Sequence, residues 1–143
     1  DVIATDHAPH TSSEKKQSYF KAPAGLPLVQ HALLVLFDLA DRGEISRELI
    51  VERACHAPAD LFGVQERGYV REGWYADLVI VDPDRPFRVE KSNLLCKCHW
   101  SPFEDHEFSS TIDTTIVNGE VVYRDGELTR NIAGQRLEFD RAR

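Results

Sequence analysis

The sequence predicts an α/β chain in two parts: a strand, a loop and helices up to about residue 62, then an all-β stretch over residues 63–143. Three observations carry that reading. The chain opens on Asp1-Val2-Ile3-Ala4-Thr5-Asp6, an apolar, β-branched run that reads like the end of a buried strand. Val29, Ala32, Leu33, Leu36, Phe37 and Ala40 recur at helical spacing. Beyond Gly63 the pattern shifts to Leu78-Val79-Ile80-Val81 and to two β-rich runs joined by Asn118-Gly119, both of which tolerate the positive φ of a tight hairpin turn.

Taken in order, His7 to Phe20 is polar and has neither period, so it is expected to be a loop at the strand's C-terminal end. Lys21 to Pro27 holds two prolines and Gly25, the composition of a shaped turn. The helix expected over Leu28–Arg42 is closed by Gly43. A second helix is expected from an N-cap at Ser46 to about Cys55, with Leu49, Ile50, Ala54 and the stem of Arg53 buried and Cys55 on the apolar face as a small hydrophobe. A third short helix begins near Ala57, with Pro58 early and Gly63 at its close. Strands are expected at Ala76–Asp82, Thr111–Val117 and Glu120–Tyr123, with a further turn at Asp125-Gly126. No internal repeat or low-complexity tract occurs.

Composition narrows the function classes. Hydrophobic residues make up 42% and charged residues 29%, a balance unlike a disordered tail, a collagen repeat or a coiled coil. The net charge of -7 argues against nucleic-acid and anionic-membrane partners. The longest mainly apolar stretch, Leu26 to Ala40, is interrupted by Pro27, Gln30, His31 and Asp38 and is too short and polar to span a bilayer. Neither does the start read as a signal peptide. Three cysteines make no disulfide framework, so a reducing cytoplasm is the expected location. Methionine is absent and the opening strand has no partner of its own, so the chain is expected to be a piece of a larger protein.

Chemistry concentrates in Thr5-Asp6-His7-Ala8-Pro9-His10, a carboxylate and two imidazoles just after a strand. Parallel α/β folds place their sites on such loops. A carboxylate there can bind a divalent metal or take a proton from metal-bound water, and an imidazole four residues on can hold a carboxylate or carry a proton. Equally, Asp6 and His7 can simply cap a turn; spacing alone leaves both readings open. Cys96-Lys97-Cys98-His99, with His106 beyond, invites a zinc reading, yet structural zinc sites separate paired cysteines by at least two residues and here there is one. An irregular surface segment is preferred. His31 is expected to be a packed or partner-facing histidine, and His56 to make a structural hydrogen bond. Glu14-Lys15-Lys16 reads as a solvated loop or as cover for the site, and Glu104-Asp105-His106-Glu107 as a solvated acidic segment.

Asp1 to His10 resembles the last barrel strand and loop of the dihydroorotase family, within the amidohydrolase superfamily, where the Thr5-to-His10 string is close to a signature. Further matches follow in order: Lys21 to Pro27, Ala57-Pro58-Ala59, Leu61-Phe62-Gly63, Gly73 with Ala76 to Ile80, Trp100 to Phe103, and Thr115 to Gly119. The resemblance implies the C-terminal part of a metal-dependent (β/α)8 TIM barrel plus part of a small β-sandwich: residues 1–62 as last strand, active-site loop and closing helices, residues 63–143 as sandwich strands. It implies that Asp6 is both a metal ligand and the catalytic acid/base, that His10 binds the substrate carboxylate, and that Ala24 and Gly25 touch the substrate ring through their backbone. His7 is left with a supporting role. The implied cofactor is zinc, as a binuclear centre whose other ligands lie upstream, so the chain alone is expected to be inactive.

The implied reaction interconverts N-carbamoyl-L-aspartate and L-dihydroorotate in pyrimidine biosynthesis. The expected partners are that small-molecule substrate, the upstream part of the same protein and further copies in a homo-oligomer. Two alternatives stand beside this reading: an allantoinase- or dihydropyrimidinase-like cyclic amidohydrolase, and a non-catalytic scaffold subunit of dihydroorotase type. His10 separates the first, since only a carboxylate-bearing substrate needs a partner there; retained metal separates the second.

Overall fold

Short-range chemistry accounts for most of the elements in the computed structural model, which describes residues 1–129 and 134–140. The expected second part runs to residue 143, so its residues 130–133 and 141–143 lie outside the described residues. Among the described residues the α-helices come first: α1 (Ser12–Lys15), α2 (Ala32–Asp41), α3 (Arg47–Val51) and α4 (Ala57–Phe62). The strands follow: β1 (Leu78–Asp82), β2 (Phe87–Arg88), β3 (Glu107–Phe108), β4 (Thr111–Val117), β5 (Glu120–Arg124) and β6 (Glu127–Leu128).

The expected opening strand does not form. Asp1 to Asp6 enter no strand pairing, and the segment is held instead by the Ile3 amide donating to the Arg53 carbonyl (3.0 Å) and Arg53 Nη1 donating to the Asp1 carbonyl (3.1 Å). The run has strand composition, but a strand exists only against another, and no described strand pairs with this one. Helix α2 starts at Ala32, four residues later than expected, and the Val29 amide ahead of it donates to His7 Nδ1 (3.2 Å). Ser46 caps α3 as expected, its hydroxyl accepting from the Leu49 amide at 3.1 Å.

The second and third expected helices are one continuous stretch. A wider π-type turn over Glu52–His56 joins α3 to α4. Pro58 has no N–H to give to the carbonyl four residues back, and the wider turn absorbs that missing bond. The turn also shifts the helix phase, so Cys55 is exposed rather than packed. Gly63 ends α4 at φ 63°, the left-handed conformation expected of it.

Strands β1, β4, β5 and β6 form one antiparallel sheet in that order, and β2 pairs with β3 in a separate ribbon. Asn118 and Gly119, at φ 51° and 84°, turn β4 into β5, with Val117 opposite Glu120. This hairpin is pinned by Arg67, which ion-pairs with Asp77 and donates to Asn118 Oδ1 (2.6 Å), while Asp77 Oδ1 accepts from the Asn118 amide (2.7 Å). Arg67 also lies over the Tyr75 ring at 4.1 Å. The core sits where α2 meets the short ribbon: Leu34, Val89 and Phe108 are buried, with Val35, Phe87, Phe103 and Ile112 against them. His31, 1% exposed, is packed as expected, its ring stacked on Phe108 at 5.8 Å.

Candidate active site

Three segments far apart in sequence meet around residues 7–10. The first is the loop itself, where Asp6 turns the chain at φ 45° and leaves its carboxylate exposed. The second is the Lys21–Pro27 turn. Leu26 lies alongside His7 in a parallel bridge, and the Ala8 amide donates to the Leu26 carbonyl at 2.9 Å. Gly25 has φ 97°, and a Cβ added there would overlap the Cβ of Ala8. Glycine is therefore required twice over, by backbone conformation and by the close approach of the two loops. His7 Nδ1 accepts from the Val29 amide, so in the neutral ring the proton sits on Nε2.

Trp100 supplies the third segment, its Nε1 donating to the His10 carbonyl at 2.7 Å. Gln30 ties the same segment to the start of α2, donating to the Asn93 carbonyl and accepting from the Leu95 amide, both at 2.8 Å. The result is an open cleft of about 670 Å³ with His7, Pro9 and Thr11 on one wall and Leu95, Cys96 and Cys98 on the other. Asp6, His10, Ala24 and Gly25 do not line this cleft but lie in the loops beside it: Gly25 packs on Ala8, whose carbonyl accepts from the His10 amide at 2.9 Å.

Two positioning features escaped the sequence reading. Lys15 Nζ donates to the carbonyls of Pro23 (2.7 Å) and Gly25 (3.0 Å), so it shapes the very turn that carries Ala24 and Gly25. Thr11 and Glu14 form a reciprocal cap on α1: the Thr11 amide donates to Glu14 Oε2 at 2.6 Å and the Glu14 amide to Thr11 Oγ1 at 3.4 Å. The Thr11 hydroxyl, followed by its amide, holds the Glu14 carboxyl below its ordinary value. The spacing Thr-x-x-Glu was the available signal. Lys15 had none, because its partners are carbonyls eight and ten residues on.

The described residues do not by themselves make a metal centre. Among them no group of three or more His, Cys, Asp or Glu side chains is placed to hold an ion, so Asp6 stands as a single donor. Cys96, Cys98, His99 and His106 do not form such a group either. Among the described residues, no helix is long and apolar enough to cross a membrane.

Comparison with known proteins extends this picture. Residues 1–122 match the model of the amidohydrolase family. The chain is 40% identical to a dihydroorotase of Halobacterium salinarum over 96% of its length and 32% of that protein's. It is 38% identical to a dihydroorotase of Clostridium acetobutylicum over 87% of its length and 29% of that protein's. The chain thus spans about a third of the length of the curated relatives it matches. Among solved structures it is similar to a D-hydantoinase (dihydropyrimidinase) from Thermus sp., with TM-score 0.83, 27% identity, and coverage of 90% of this chain and 29% of that one. An L-hydantoinase from Arthrobacter aurescens gives TM-score 0.72 at 31% identity, over 77% of this chain and 25% of that one.

The fold is accordingly that of a TIM-barrel amidohydrolase, of which these residues form a mixed helical and sheet portion. The family implies a metal cofactor and a small-molecule substrate. With a family model that covers most of its length and relatives alike over nearly all of it, the chain belongs to the amidohydrolase family.

Proposed function

We propose that the protein represented by this chain is a dihydroorotase, a zinc-dependent enzyme that interconverts N-carbamoyl-L-aspartate and L-dihydroorotate. One observation supports the reading: the chain is alike over nearly its whole length to proteins named dihydroorotase, and its residue 6–10 loop packs through Ala8 against the turn at Gly25. In this reading residues 1–62 belong to the barrel and residues 63–143 to a small sandwich beside it. Asp6 is one ligand of the zinc centre and the carboxylate that carries a proton to the leaving ring nitrogen. His10 holds the substrate carboxylate, and the Trp100 indole on its carbonyl anchors the main chain that carries it. The Ala24–Gly25 backbone, braced by Lys15, faces the ring. When bound, zinc supplies the activated water. The enzyme works in the cytoplasm as a homo-oligomer.

Likeness to hydantoinase structures supports a second reading, a cyclic amidohydrolase for ring amides without a carboxylate. One assay separates them. The full-length protein, loaded with zinc, is offered L-dihydroorotate, dihydrouracil and hydantoin, and His10→Ala is run alongside. Dihydroorotate is expected to be the preferred substrate, with kcat/KM falling at least tenfold in His10→Ala at unchanged zinc content, the size of one lost charged hydrogen bond. Preference for the uncharged rings, or kinetics indifferent to His10, sinks the first reading in favour of the second. A protein that holds no zinc and turns over none of the three is a scaffold.

A further inference from the structure

Cys96 and Cys98 stand on the wall of the cleft with no task in the proposed reaction. Their sulfurs are 3.3 Å apart, and both are directed at one acceptor, the Trp100 carbonyl, at 3.5 and 3.7 Å. A turn closed by the His99 amide on the Cys96 carbonyl (3.1 Å), with His99 at φ 53°, folds the short segment back on itself and brings the side chains together. Both thiols are half-buried on an open cleft. Metal binding does not explain the pair, because the described residues offer it no third ligand.

We propose that Cys96 and Cys98 are a reversible dithiol–disulfide site, closed by exchange with a small soluble disulfide. One thiol, as its thiolate, attacks a sulfur of oxidised glutathione; a protein–glutathione disulfide forms and one glutathione thiolate leaves. The second cysteine then gives up its proton and attacks the protein sulfur of that mixed disulfide, which forms the Cys96–Cys98 bond and expels the second glutathione. Two protein thiols are oxidised, one oxidised glutathione is reduced, and the two protons go to the two departing thiolates. Bond formation needs the sulfurs to close from 3.3 Å to about 2.05 Å, roughly one bond-length of movement within a turn. Both sulfurs then cease to donate to the Trp100 carbonyl. Burial, then the hydrogen bond with Cys98, raises the Cys96 thiol pKa, so closure slows as pH falls.

Cys55, exposed and without a neighbouring thiol, is the internal control. The native protein is equilibrated in graded mixtures of reduced and oxidised glutathione, quenched with acid and mapped by peptide mass. The Cys96–Cys98 peptide is expected to lose two hydrogens and carry no glutathione, while Cys55 takes up glutathione alone. In Cys98→Ser, Cys96 is expected to retain one glutathione. The closure constant of the native protein is expected to exceed that of the urea-unfolded chain at least tenfold, since the fold holds the sulfurs together. Glutathione retained on Cys96 or Cys98 of the unsubstituted protein, bridges to Cys55 or between chains, no reaction at the pair, or equal constants in the native and unfolded states would each overturn the proposal.

Discussion

Gly25 shows how much one missing methyl group decides. Its φ of 97° disfavours any side chain, and the room a Cβ would need is already taken by Ala8. Gly43, at φ 74°, has open space around it and so carries only the conformational requirement. Gly25→Ala is therefore expected to cost about 1–3 kcal/mol more than Gly43→Ala in urea unfolding, and Ala8→Gly to recover part of the excess. Equal losses for the two variants would show that the loops do not press together at Ala8. His31 decides a different property. Burial lowers its pKa, and while its Nδ1 meets the Ser101 hydroxyl at 3.2 Å, Nε2 has no partner among the described residues. The folded state thus keeps His31 neutral, whereas the unfolded chain takes up a proton below the ordinary value of 6.5. Above that pH the group is indifferent; below it unfolding is favoured, with a limiting slope of about 1.4 kcal/mol per pH unit. The unfolding free energy is expected to fall between pH 6.5 and 5, and His31→Gln to fall less steeply. Parallel curves would mean that the fold tolerates the charged ring.

Among elements, the junction of α2 with the β3–β4 corner depends on Asp38. It accepts from the Ser109 amide (2.9 Å), the Ser109 hydroxyl (3.0 Å) and His106 Nε2 (3.1 Å). Burial by itself would raise its pKa; the Ser109 amide, His106 and the Ser109 hydroxyl together outweigh it and hold the carboxyl below 3.8. A depressed carboxyl contributes stability that is present above 3.8 and lost as pH falls through the lower folded value. Asp38→Ala is expected to lose about 1.5–3 kcal/mol at pH 7, and the gap to the unsubstituted chain to close at acid pH. A gap independent of pH would assign the loss to packing. The long elements here are legible in the sequence and the short ones are not. Strands β4 and β5 announce themselves through β-branched residues and Asn118-Gly119, since a tight turn depends on its own two residues. Strands β2 and β3 have two residues each, too few for any period, and exist because Phe87 and Phe108 pair across the ribbon over the core.

At the scale of the molecule, the buried core is small and much apolar surface stays uncovered. Phe20 is 96% exposed, Val70 86% and Leu128 64%. Patches of this kind drive association. The chain produced by itself is therefore expected to self-associate, or to purify with the rest of its protein, rather than sediment as a monodisperse 16.3 kDa monomer. Sedimentation velocity with intact-mass analysis checks this, and a clean monomer would mean that the exposed faces are inert. The same chain is expected to bind no stoichiometric zinc and to turn over no dihydroorotate, because Asp6 is one donor and a zinc site needs at least three from protein. Metal analysis after dialysis tests that directly.

Features settled within a few residues are written in the sequence alone: the Ser46 cap, the Gly43 and Gly63 helix ends, the Asn118-Gly119 hairpin, the strand at Leu78–Asp82 and a recognisable Thr5-to-His10 motif. Caps and tight turns satisfy backbone groups with neighbours three or four positions away, so their chemistry is written locally. The folded chain alone reveals that Ala8 meets Gly25, that Trp100 holds the His10 carbonyl, that Lys15 braces the turn at Gly25, and that Asp1–Asp6 enter no strand pairing. Each of these depends on contacts between separate segments, and the energy of such a contact is set by which surfaces arrive together, not by the composition of either one.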